Sequence, residues 1–174
     1  MAQFYISLGT NINKDYYLTK GLNALNEAFG PLTLSSLFES EAVGFEGECF
    51  YNLVIGAKTE QSIEYVAARL REIEFIYDRP LNAKKYSSRT LDLDLLLFDN
   101  LILNTPAQIP RDEICCNAFV LWPLSEIAGE LIHPVLNKTY RLLWQEYIQN
   151  QQEKSSQNSP QLLRKVPLNW QRNN

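Results

Sequence analysis

The chain has 174 residues, 45% of them apolar and 21% charged, which is the composition of an ordinary folded domain with a single hydrophobic core. Its net charge of −4 argues against a general nucleic-acid binder, which carries a basic face, but leaves room for an anionic small substrate held by a few arginines or a metal. No stretch approaches the ~20 apolar residues of a membrane span, and the cysteines Cys49, Cys115 and Cys116 have no CxxC or Cys/His metal spacing.

Met1-Ala2-Gln3-Phe4-Tyr5 lacks the basic and apolar stretches of a signal peptide, so a cytoplasmic protein with reduced thiols is expected. Phe4 to Leu8 reads as a first strand, stopped at Gly9-Thr10-Asn11. Tyr17, Leu18, Leu22, Leu25 and Phe29 recur at helical spacing and predict a helix over 14–29, ended by Gly30-Pro31. Leu32 to Phe38 reads as a second strand, Glu39 to Phe50 as a long loop, and Tyr51 to Lys58 as a third strand. Ser62 can cap a second helix, whose apolar stripe is Ile63, Val66, Leu70, Ile73 and Tyr77. Asp78 to Ser88 is a polar, basic loop containing Pro80, and Thr90 to Phe98 is a strongly apolar strand.

The order β-α-β-β-α-β predicts an α+β fold with a ferredoxin-like core, an antiparallel sheet and helices packed on it. Later additions include the apolar run Phe119-Val120-Leu121-Trp122-Pro123-Leu124 and a helix over 139–148. Residues 1–148 are expected to form one domain. Residues 149–174 are rich in Gln, Asn and Ser, and are expected to be a mobile tail with Leu162, Leu163 and Trp170 as docking points.

The segment that carries chemistry is Arg89-Thr90-Leu91-Asp92-Leu93-Asp94-Leu95. Alternation along a strand turns Leu91, Leu93 and Leu95 into a core and Thr90, Asp92 and Asp94 to the opposite face. Two like charges on one face are costly unless a cation offsets them, and a carboxylate pair suits magnesium, which takes its other ligands from phosphate and water. The same alternation also fits the solvent side of an edge strand. Arg79, Lys84, Lys85 and Arg89 make the preceding loop basic, suited to polyphosphate or simply solvated. There is no P-loop and no G-x-G-x-x-G. His133 is read as structural.

Arg89-Thr90-Leu91-Asp92-Leu93-Asp94 closely resembles the signature of the 6-hydroxymethyl-7,8-dihydropterin pyrophosphokinases. Ile6-Ser7-Leu8-Gly9-Thr10-Asn11, Phe50-Tyr51-Asn52 and Phe119-Val120-Leu121-Trp122-Pro123-Leu124 resemble the same family in the same order, over residues 4–148. The resemblance implies transfer of the pyrophosphoryl group of ATP to the pterin's hydroxymethyl oxygen, in folate biosynthesis; a monomer is expected. It implies two Mg2+ ions on Asp92 and Asp94, with Arg79 and Arg89 stabilising phosphate charge from a mobile loop. It implies a pterin between Phe50 and Phe119, with Asn52 on its edge and the backbone near Ser40 and Val43 completing the pocket. Glu74, Lys85, Tyr86, Arg89 and Arg111 would face ATP.

The sequence departs from the family pattern at four places. Tyr86-Ser87-Ser88 stands where the family usually has Trp-Gly-Pro. Leu81 replaces a loop arginine, Asn117 a basic residue, and Arg111 the histidine common after the late Pro. These departures leave two further readings: a divergent relative of low or altered activity, and a non-catalytic ferredoxin-like module such as an RNA-binding domain.

Overall fold

The computed structural model describes residues 1–41, 48–77, 90–154 and 163–171. In chain order the elements are β1 (Ala2–Thr10), α1 (Lys14–Phe29), β2 (Thr33–Leu34), β3 (Leu37–Ser40), β4 (Phe50–Thr59), α2 (Ile63–Ile76), β5 (Asp92–Phe98), α3 (Glu113–Cys116), α4 (Ala118–Ala128), α5 (Tyr140–Lys154) and β6 (Leu163–Val166). The strands form one sheet in the order β5-β1-β4-β3-β6, with β2 also pairing with β4, and every pairing is antiparallel. The first four positions of that order give the ferredoxin-like arrangement expected from the sequence.

Side-chain alternation divides the core between the two sheet faces. Phe4, Ile6, Leu8, Leu53, Ile55, Ala57, Leu93 and Leu95 meet Leu18, Leu22 and Leu25 of α1 and Ile63, Val66, Leu70 and Ile73 of α2. Tyr5, Val54, Leu96 and Leu97 meet Val120, Leu121 and Leu124 of α4 and Tyr140 and Leu143 of α5. Each leucine or isoleucine so buried contributes roughly 1.5–3 kcal/mol. Helix α1 lies close against the sheet at Gly21, where an added Cβ would come within 2.9 Å of Leu91 Cδ1. Gly30 ends α1 at φ 78°, its N–H donating to Asn26 O at 2.9 Å. Ser62 caps α2 as expected, its hydroxyl accepting from the Tyr65 amide at 3.2 Å.

Three features differ from the sequence reading. The second strand, expected as one piece over 32–38, is broken into β2 and β3 and runs on to Ser40. At the break the Ser35 hydroxyl accepts from Val54 N at 2.9 Å, and Ser36 N and Oγ both donate to Glu126 at 2.9 Å. Ser35 N still donates to Val54 O at 3.0 Å, and side chains supplement the ladder at the break. The apolar strand starts at Asp92 rather than Thr90, because the Thr90 hydroxyl turns back to donate to Tyr77 O. The region after Gln149, read as a tail, continues α5 to Lys154 and supplies β6. The strand pairs Leu163–Val166 with Ser40–Leu37, and Leu163 and Trp170 dock as expected, Trp170 Nε1 donating to Asn23 Oδ1 at 2.9 Å; Leu162 lies outside the described residues.

Candidate active site

Directly paired residues in an antiparallel sheet point to the same face. Asp92 pairs with Gly9, Gly9 with Asn52, and Asn52 with Phe38, so one row crosses four strands. The flanking pairs Asp94–Ser7, Ser7–Val54 and Phe50–Ser40 lie on the same side. Val54 belongs to the core under α4 and α5. Those helices therefore cover the Val54 part of this face, and the Asp92–Gly9–Asn52 row lies beyond it, with Asp94 at the outer edge on β5. Gly9 has no side chain to fill the middle of the row. A Cβ there would lie 3.3 Å from Asn52 Oδ1. The absent side chain leaves a floor between Asp92 and Asn52, whose Cα atoms are two strand spacings apart, roughly 10 Å.

At the β5 end, both aspartates are half-buried. Arg111 NH2 sits 3.2 Å from Asp94 Oδ1 and 4.0 Å from Glu113 Oε1. The guanidinium shows that this face already accommodates a positive charge. Among the described residues no group of three or more His, Cys, Asp and Glu could enclose a metal. Two carboxylates on one face, with phosphate and water to complete the shell, remain a fitting donor set for magnesium. Glu74 is 2% exposed and accepts from the Leu93 amide at 2.8 Å. Leu93 lies between the two aspartates on an edge strand, so Glu74 satisfies an outward N–H there and braces the acidic segment.

At the β3–β4 end, Asn52 is 8% exposed and its Nδ2 donates to Ser40 Oγ at 2.9 Å. Phe50 is half-buried beside Gly9, and Phe119 is half-buried at the start of α4. Neither ring is sequestered in the core. Phe38, Trp122, Trp144 and Tyr147 form a chain of ring contacts with centroids 4.7, 5.2 and 5.6 Å apart, the first pair tilted and the other two stacked. On the opposite side of these strands, polar contacts tie the neighbouring segments together. Thr10 Oγ1 donates to Thr90 O, and Asn11 Nδ2 to Glu48 O at 3.2 Å. Lys14 Nζ reaches Glu39 Oε2 at 3.1 Å and lies 4.6 Å over the Tyr51 ring.

A family model described as 7,8-dihydro-6-hydroxymethylpterin-pyrophosphokinase (HPPK) matches residues 5–129, more than half of the chain. The chain belongs to the HPPK family. A pyrophosphokinase of Aquifex aeolicus is 30% identical over 141 residues, 79% of this chain and 88% of that protein. Its counterpart in Haemophilus influenzae is 34% identical over 139 residues, 77% of this chain and 86% of that protein. Among solved structures, Plasmodium falciparum HPPK-DHPS superposes with a TM-score of 0.70 at 16% identity, over 90% of this chain. This chain spans 45% of that longer polypeptide, and the likeness concerns the fold.

The HPPK resemblance therefore lands on one sheet face. Asp92, Asp94, Phe50, Asn52 and Ser40 share it, with Arg111 alongside Asp94. Val43, Arg79, Lys85, Tyr86 and Arg89 lie outside the described residues, as do Leu81, Ser87 and Ser88. Neither the place of Gly9 on this face nor the pairing of Glu39 with Lys14 was foreseen. Gly9 stood inside a quoted motif, and only pairing register reveals its place. No local signal joins Glu39 to Lys14. His133, read as structural, accepts from the Val135 and Leu136 amides at 3.2 Å through Nδ1. Burial lowers its pKa. Among the described residues, no helix is long and apolar enough to cross a membrane.

Proposed function

We propose that the chain transfers the pyrophosphoryl group of ATP to 6-hydroxymethyl-7,8-dihydropterin, giving AMP and the pterin diphosphate, in folate biosynthesis. The hydroxymethyl oxygen attacks the β-phosphorus, and the bond from that phosphorus to the α–β bridging oxygen breaks. AMP leaves with the bridging oxygen, and the hydroxyl proton passes to solvent. The observation that carries this reading is the shared face: an acidic pair and a polar-aromatic cluster stand at opposite ends of a row whose centre is Gly9. Membership of the HPPK family supplies the reaction.

In this reading Asp92 and Asp94 would hold two Mg2+ ions, as the resemblance implies. The metal would neutralise phosphate charge and align the chain of phosphates. Phe50 and Phe119 offer faces to a flat heterocycle, and the Ser40–Asn52 pair presents a fixed amide to its polar edge. By the resemblance, Arg79, Lys85, Tyr86 and Arg89 would serve the phosphates and adenine. Arg111 serves the phosphates from beside Asp94, while Glu74 supports the nucleotide side through β5. Free Cys49, Cys115 and Cys116 suit a reducing cytoplasm.

The altered loop and Arg111 favour one second reading, a relative of reduced or shifted activity. Incubation with ATP, Mg2+ and the pterin separates the two. AMP formed only in the presence of pterin supports the pyrophosphokinase. Binding of both ligands without AMP supports the second reading. Asp94→Ala should abolish turnover while the unfolding midpoint stays near that of the parent chain. Normal turnover in that variant would remove the site assignment.

A further inference from the structure

Arg111 is anchored at its backbone and incompletely engaged at its head. Its amide donates to Leu96 O at 3.0 Å, which fixes its Cα beside the strand bearing the aspartates. Its side chain is 29% exposed, and one terminal nitrogen makes the contact with Asp94 Oδ1. Among the described residues, its buried Nε has no hydrogen-bond partner. A guanidinium docked on its best anionic partner ordinarily gives two parallel N–H bonds. Among the described residues it makes a one-armed contact with Asp94 and leaves a buried donor idle.

We infer that Arg111 is a placeholder cation: it holds Asp94 in the metal-free protein and releases it when a polyphosphate arrives to take the guanidinium. The inference rests on the reading of Asp92 and Asp94 as metal ligands. A divalent ion on Asp94 would meet a permanent positive charge a few ångström away, and the two repel. The phosphates of a nucleoside triphosphate resolve the conflict. They give the guanidinium a bidentate partner, satisfy its idle Nε, and add oxygens to the metal's shell. Metal alone therefore binds weakly, and metal and nucleotide promote each other's binding by the same factor. Glu113, 4.0 Å from the same nitrogen, offers the displaced arginine a near partner during the exchange.

The device is specific to arginine. The histidine that the family resemblance places here is neutral above about pH 7.5 and exerts no such repulsion. Arginine keeps its charge throughout.

The test is a titration of the whole chain with Mn2+, followed by electron paramagnetic resonance, without nucleotide and at pH 8. Arg111→Gln and Arg111→His should each bind Mn2+ about tenfold more tightly than the parent, while Arg111→Lys stays weak. The same two variants should bind an unreactive ATP analogue with Mg2+ about tenfold less tightly. Opposite signs in the two titrations are the signature. Mn2+ affinity unchanged or lowered in both variants overturns the placeholder role. Arg111→Gln combined with Asp94→Asn separates that failure from the one beneath it. If the double variant holds Mn2+ as tightly as Arg111→Gln, Asp94 is not a ligand and the metal-site reading itself fails. If it loses Mn2+ while Arg111→Gln matches the parent, only the placeholder role fails.

Discussion

Asp92 and Asn52 are second neighbours across the sheet, each paired in register with Gly9 of β1. The spacing between the acidic and the polar-aromatic ends of the site is thus set by one strand, and its openness by one missing side chain. Gly9→Val should fill the floor. The branched side chain suits an extended strand, so the fold should persist. Pterin and nucleotide affinity should both fall, by about tenfold or more for a contact worth 1.4 kcal/mol. Calorimetric titration of each ligand, alongside a thermal melt, checks this. Unaltered affinities would mean that ligands do not cross this row.

Glu74 acts on the acidic segment through the backbone. Glu74→Ala leaves the Leu93 amide without its acceptor and should cost about 1–3 kcal/mol of stability. It should also lower kcat, because the strand holding Asp92 and Asp94 loses its outer brace. Glu74→Gln keeps an acceptor oxygen in place and should restore most of both. Denaturant unfolding and AMP release, measured on the two variants side by side, decide the matter. An equal loss in both would show that the charge itself is needed.

Glu39 is 15% exposed and lies between Arg164 and Lys14, which donate to its two oxygens at 3.1 Å each. Arg164 first, and Lys14 with it, hold its carboxyl below the usual carboxylate range. A lowered folded-state pKa gives stability that is complete above the unfolded value, about 4.3, and is lost as pH falls through the folded one. Glu39→Gln should therefore melt below the parent at pH 7. The gap should close as the buffer is taken below about pH 4. A gap that persists at pH 3 would point to packing rather than charge.

His133 gives a separate pH window. Its Nδ1 accepts from two amides and burial pushes its pKa down, so the folded state prefers the neutral ring. Stability should be full above about pH 6.5 and should decline as pH falls through and below that value, because the unfolded chain takes up the proton first. His133→Asn should flatten the melting curve across this range while leaving the acid limb due to Glu39. Fluorescence-monitored melts between pH 7.5 and 5 would reveal a parent that shows no slope.

Local chemistry made much of this fold legible. Helix α1 falls on the residues its 3.6-residue spacing and Gly30 define, and the leucine–aspartate alternation of β5 sets the acidic face opposite the core. The sheet order follows from the β-α-β-β-α-β sequence of elements. What escaped were long-range partnerships. The break between β2 and β3 depends on Ser36 meeting Glu126, and β6 is a polar segment that becomes a strand only because β3 offers an unpaired edge. Of the candidate site, the strand pattern turned the two aspartates to one face but fitted a solvent-facing edge as well, and their metal role came from family likeness. Phe50, Asn52 and Phe119 came from family likeness, because an aromatic or an amide on a strand has no private signature. Gly9 needed the register between three strands.

The lateness of β6 also governs how the molecule is made. On the ribosome, β3 is synthesised long before Leu163–Val166 emerges, so the strand leading to Ser40 spends that interval with a bare hydrogen-bonding edge. A bare edge invites pairing with a neighbouring nascent chain. Chaperone demand and inclusion-body formation should thus fall on translation pauses before residue 163, and a release of the polypeptide truncated there should aggregate where the longer product does not.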